Sequence, residues 1–169
     1  MQESLHNVSK ADIMSIPFDG IIELPVEGAC TSSARINSAQ IRDLPSEEDL
    51  NKTTLRRKLA DLFFMKAEGD FERLEITTYI KQDTARKWFN GKNRVSRRGL
   101  AKFVVGLKID IDTADELFSL QGHPISLRNR FDYIVACSVK NGDGIEDFYD
   151  DVLKYCSIDI FGVEYTSAE

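Results

Sequence analysis

The sequence predicts an all-α protein, and three observations predict it. Apolar residues recur at helical spacing through most of residues 53–156, Ser, Thr and Asp stand where those runs begin, and glycines stand where they end. The expected layout is an acidic, poorly regular N-terminal arm or linker over residues 1–51, a five-helix domain over 52–122, and a C-terminal helical hairpin with a tail over 123–169. A hydrophobic content of 42% and a charged content of 30% over 169 residues fit one core with additions, and argue against whole-chain disorder or a fibrous fold.

In the arm, Ser9 with Asp12 can cap a short helix that Pro17 stops, and residues 18–26 read as a short extended piece interrupted by Gly20 and Pro25. The first firm helix is expected to start at Thr53 or Thr54, with Leu55, Leu59, Leu62 and Phe63 on one face and Gly69 at its end. Leu74, Ile76, Tyr79 and Ile80 fit a short second helix running into a turn. A third, from about Gln82 to Asn90, buries Ala85, Trp88 and Phe89 and stops at Gly91. Ser96 caps a fourth helix with Leu100, Phe103, Val104 and Leu107 facing in. Asp112 is expected to open a fifth, with Asp115 in the capping-box position and Gly122 closing it. Beyond Pro124, the stripes Phe131, Ile134, Val135, Val139 and Ile145, Phe148, Tyr149, Val152, Leu153, Cys156 flank the turn at residues 141–144 as a helical hairpin. Residues 157–165 fit a short strand or a docked tail.

Charge is distributed unevenly. Residues 1–51 hold 3 Lys and Arg against 9 Asp and Glu, residues 52–108 hold 15 against 6, and residues 109–169 hold 4 against 13. A basic centre between acidic flanks points to a module that binds a polyanion, although solvated helix faces produce the same count. The third helix narrows the choice. Gln82, Asp83, Arg86, Lys87 and Asn90 share the face opposite Ala85, Trp88 and Phe89, so amide and guanidinium groups capable of bonding base edges are presented together. Lys92, Arg94, Arg97 and Arg98 follow in the next loop, where they would neutralise backbone phosphates. Lys81 and Thr84 complete the candidate DNA-binding set. Trp88 repeats the helix period and is read as a buried anchor, not a base-stacking platform.

The segment YIKQDTARKWFNGKNRVSRRGLAKFVVGLKID, within residues 53–122, resembles the helix-turn-helix of the lambda repressor and Cro proteins, the XRE-like family. Gln82 and the Phe89-Asn90-Gly91 step carry the likeness. The resemblance implies a lambda-repressor-like five-helix domain, with Gln82 and Asp83 near base edges, Arg86 near base or phosphate, Asn90 near phosphate, and a homodimer on a pseudo-palindrome of double-stranded DNA. The chain departs from the family where Tyr79 stands in place of the usual turn glycine and Glu75 in place of the usual alanine, through unusual packing or a register shifted by one residue. Asp83 adds a negative charge that must accept from a cytosine amino group or pair with Arg86 or Lys87.

Other chemistries find little support. His6 and His123 are isolated from any nucleophile or carboxylate at a suggestive spacing, the run over residues 141–151 has its glycines misplaced for a calcium loop, and no phosphate-binding Gly-Lys-Ser/Thr or dinucleotide signature occurs. No enzyme, metal or cofactor is expected. Cys30, Cys137 and Cys156 are too far apart for a zinc site and are read as reduced thiols, two of them in the core. No run reaches the roughly 18 apolar residues of a membrane helix, and residues 1–10 lack the features of a signal peptide, which points to the cytoplasm.

The sequence therefore leads to a sequence-specific transcriptional regulator, a repressor or autoregulator, whose hairpin packs on the helical domain or forms the dimer interface. The competing expectation is a protein-interaction module, antitoxin- or inhibitor-like, that captures a partner protein through residues 1–51. RNA or single-stranded DNA ranks lower because the exposed face of the third helix carries no aromatic residue for stacking.

Overall fold

The computed structural model describes residues 4–22 and 46–158, and among these every regular element is helical. Seven α-helices occur: α1 Glu47–Ala67, α2 Phe71–Thr78, α3 Gln82–Phe89, α4 Arg97–Gly106, α5 Ile111–Gln121, α6 Arg130–Asn141 and α7 Ile145–Cys156. Two 3-10 turns, Leu5–Asn7 and Lys10–Ser15, precede them. None of the described helices is long and apolar enough to cross a membrane.

The expected start of α1 was too late. Ser46 caps the helix by accepting from the Asp49 amide at 3.1 Å, and Glu47, Glu48 and Asp49 place negative charge where the helix dipole favours it. Residues 46–50 are all exposed, so this first turn carries no apolar period to mark it. Further along, Leu55, Leu59, Phe63 and Ala67 bury one stripe of α1. The α5 cap is likewise two residues earlier than expected: Asp110 accepts from the Thr113 amide at 2.9 Å, while Asp115 accepts from the Ile125 amide beyond the helix. The cap at Ser96 and the terminal glycine at Gly122 stand where the sequence puts them.

Helix α2 ends in an unusual residue. Tyr79 adopts φ 55 and ψ 21, the left-handed conformation in which glycine escapes a Cβ penalty. Its hydroxyl donates to Glu146 Oε1 at 2.8 Å, a tether to α7 that glycine would not supply. Ile76, expected on the inner face, is 64% exposed, whereas Leu74, Thr78 and Ile80 are buried. The Thr78 hydroxyl donates to the Leu74 carbonyl at 2.6 Å and accepts from the Ile80 amide at 3.2 Å, which secures the three residues between α2 and α3.

Two glycines let α4 approach its neighbours. A Cβ on Gly106 would collide with the Thr77 carbonyl and Thr78, and a Cβ on Gly99 would collide with the Trp88 ring. Thus α4 supports both short helices. Phe63, Phe71 and Phe89 then join α1, α2 and α3, with centroid separations of 4.7 Å for Phe63–Phe71 and 5.1 Å for Phe63–Phe89.

The hairpin α6–α7 belongs to the same core. Phe131, Ile134, Val135, Phe148 and Val152 are fully buried, and α6 packs on both α4 and α5. Most of the stripe that offered a dimer surface is therefore used within the chain; Leu153 remains 43% exposed. Residues 4–22 also depart from the linker expectation, for they lie on the hairpin. Ile13 is fully buried, the Ser9 amide donates to the Tyr133 hydroxyl, and Arg130 donates to the Ile16 carbonyl at 2.7 Å. Lys10 forms ion pairs with Asp143 at 2.8 Å and Asp151 at 2.7 Å. Of the expected extended piece at residues 18–26, residues 18–22 are described and form no regular element, while residues 23–26, like residues 159–165 of the expected tail, lie outside the described residues.

Cys137 and Cys156 are buried free thiols, as the sequence suggested for two of the three cysteines. Burial pushes both up to about 11. In a Cys30→Ser chain, native alkylation at mildly alkaline pH should run at least about a hundredfold slower than in denaturant, because the thiolate is the reactive species. Comparable rates in the two states would contradict the buried placement.

Candidate nucleic-acid interface

Helix α3 is seated from below by Ala85 and Trp88, both buried, and is presented outward through the residues between them. Its N-terminus follows Lys81, whose carbonyl accepts from the Ala85 amide at 3.0 Å, and no side chain caps its first turn. First-turn amides without a side-chain cap are available to an anion. At the other end Gly91 takes φ 77, a backbone region that favours glycine, and the Arg56 guanidinium of α1 lies beside it.

The expected DNA-binding residues separate into three groups. Arg86, Asn90, Lys92 and Arg94 are exposed or partly exposed and form a continuous run along the end of α3 and the following loop. Asp83 is paired with Lys87 at 2.7 Å, and that hydrogen bond holds its carboxyl below the usual carboxylate range. Of the partners the sequence offers Asp83, Lys87 is the one it pairs with in the folded chain. Gln82, Lys81, Thr84, Lys87 and Arg98 stand around this run, none of them in the core. Gln82 Oε1 accepts from Arg86 Nη2 at 3.4 Å, and the Arg86 guanidinium also sits 4.5 Å from the Phe71 ring centroid, so its stem and plane are positioned before any ligand arrives.

Arg97 forms the third group and requires a correction. It was expected beside Arg98 as a phosphate contact, yet its side chain is fully buried. Its Nε donates to Asp132 Oδ1 at 3.1 Å and its Nη2 donates to Asp132 Oδ2 at 2.7 Å. The remaining donors reach Gln121 Oε1 and the carbonyls of His123 and Pro124. The guanidinium also lies 4.6 Å from the Phe118 centroid. It joins α4 to α6 and to the α5–α6 connection, and none of its charge is offered to a phosphate.

Arg56 and Asn93 stand at this face without having been expected there. Both line a pocket of about 380 Å³ between α1, the α3–α4 loop and the end of α5, together with Lys52, Thr53 and Arg94. The run Arg56-Arg57-Lys58 is visible in the sequence as a basic cluster, but its members go to different places: Arg56 to the pocket, Arg57 to solvent, and Lys58 to Glu116 of α5 at 2.6 Å. Only the packing of α1 on α5 sorts them.

Among the described residues, residues 4–22 form no hydrogen bonds or ion pairs with α3; they bond instead to α5, α6, α7 and the adjoining segments. Among the described residues, the exposed edge of α3 carries guanidinium, ammonium and amide groups together with the Lys87-paired Asp83 carboxylate, a set of donors that can bind a polyanion. Comparison with protein-family models, with curated proteins and with solved structures gives no match to this chain.

Proposed function

We propose that the chain is a sequence-specific regulator that binds double-stranded DNA through a lambda-repressor-like helix-turn-helix formed by α2 and α3. The carrying observation is the division of α3 into a buried side, Ala85 and Trp88, and an outer side that continues through Arg86, Asn90, Lys92 and Arg94. In this reading α3 enters the major groove, Gln82 meets a base edge, Arg86 meets a base edge or a phosphate, and Lys92, Arg94 and Arg98 meet phosphates. A homodimer would set two such helices about 34 Å apart on an inverted repeat, acting as a repressor or autoregulator.

The interaction-module reading is weaker for residues 4–22, because they are already held by the chain's own hairpin. Partner capture by the arm would fall to the rest of residues 1–51, among them the exposed acidic turn at Glu47, Glu48 and Asp49.

The test is duplex binding by anisotropy across a salt series, using duplexes enriched by the protein from a randomised pool. The Arg86→Ala, Lys92→Ala double variant should weaken binding and reduce the salt slope by about one unit for each phosphate no longer neutralised. Asp83→Asn should act in the opposite direction, since it releases Lys87 from its 2.7 Å partner. The proposal fails if the parent protein binds no duplex at low salt, or if the double variant keeps the parental slope and affinity.

A further inference from the structure

The pocket beside α3 is built from two unlike walls. Leu55, Trp88, Val95 and Leu120 supply apolar surface, and Arg56, Arg94 and Asn93 supply donors at the same cavity. Neither guanidinium makes a side-chain hydrogen bond or ion pair among the described residues. By contrast, the other charged lining groups have partners: Asp49 accepts from Ser46, and Lys52 pairs with Glu48 at 3.1 Å. Among the described lining residues, three cations stand against one carboxylate.

Size separates a small-molecule site from a mere phosphate contact. At about 380 Å³ the pocket lies at the lower end of the range for small-molecule sites, and its lining is more polar than is usual for them while still offering an apolar patch from Leu55, Trp88, Val95 and Leu120. A phosphodiester passing over Arg94 would use the cations and leave the apolar wall empty. We infer that the pocket binds a small phosphate monoester with an apolar body, the phosphate held by Arg56 and Arg94 and the body laid against Leu55, Trp88 and Leu120. Two guanidinium forks suit a dianionic phosphate, because each can donate two parallel bonds to its oxygens. Asn93 adds a neutral donor. The inference does not depend on DNA binding. If both hold, the ligand would contact the loop that begins at the end of α3 and would share Arg94 with the DNA face.

The chain has one tryptophan, and it lines this pocket, so its emission reports occupancy directly. Phenyl phosphate, inorganic phosphate and phenol are titrated separately into the full chain, with Trp88 fluorescence as the readout. Phenyl phosphate should give a saturable change at a concentration at least about tenfold below that needed for inorganic phosphate, and phenol should give none. Arg56→Gln and Arg94→Gln should each weaken phenyl phosphate binding by about tenfold or more, with parental circular dichroism and thermal midpoint confirming that the variants fold. Equal binding of inorganic phosphate would overturn the inference by removing the role of the apolar wall. So would a response to duplex DNA alone, an unchanged affinity in both arginine variants, or no saturable response to phenyl phosphate.

Discussion

Asp132→Ala is expected to lower the unfolding free energy by about 3–5 kcal/mol, because it leaves the fully buried Arg97 guanidinium without its charge partner. The loss extends beyond the ion pair. Asp132 Oδ2 also accepts from the Ser126 amide at 2.9 Å, so the α5–α6 connection is loosened at the same time. Removing both charges with the Arg97→Met, Asp132→Leu pair should recover much of the loss, since a hydrophobic pair of similar volume avoids an uncompensated buried ion. Recovery should be incomplete, because the His123 and Pro124 carbonyls and Gln121 each lose an Arg97 donor. Chemical denaturation followed by circular dichroism decides the matter. A loss below about 1 kcal/mol for Asp132→Ala would place the pair in the range of exposed salt bridges and contradict its burial.

Trp88→Ala should cost about 3–5 kcal/mol, the range for deleting a large buried aromatic side chain. The effect would reach the proposed interface, because the Trp88 ring is where α3 rests on α4 at Gly99. Gly99→Ala probes the same packing from the opposite side: the added methyl must displace the indole, an overpacking that costs about 1–3 kcal/mol. Denaturation midpoints give the stabilities. In the DNA-binding assay, Gly99→Ala should reduce affinity while leaving the salt slope near the parental value, since it moves α3 without removing a cation. A fully stable Trp88→Ala variant would show that the ring does not seat the helix.

The same packing explains which features are legible in the chain before its fold is known. The α3 and α4 boundaries are visible because Ser96 and Gly91 act on backbone groups within a few residues of themselves. The start of α1 is hidden for a related reason: Ser46 and Asp49 are present as a capping pair, but the exposed first turn offers no apolar repeat beside them. Tyr79 shows a residue type giving the wrong impression, because its side chain suggests an inward helical position while its backbone occupies the left-handed site of a turn.

By itself the sequence determined the all-helical class of the described residues, several helix boundaries, the burial of Trp88 and the gathering of basic residues around α3. Tertiary structure alone decided that Arg97 and Arg98 part company, that the hairpin and residues 4–22 join the core, and that Arg56 meets Arg94 across a pocket. The physical reason is range along the chain. Caps and apolar periods act between near neighbours, whereas Arg97 finds Asp132 35 residues away and Arg130 finds Ile16 114 residues away, and no local pattern specifies either meeting.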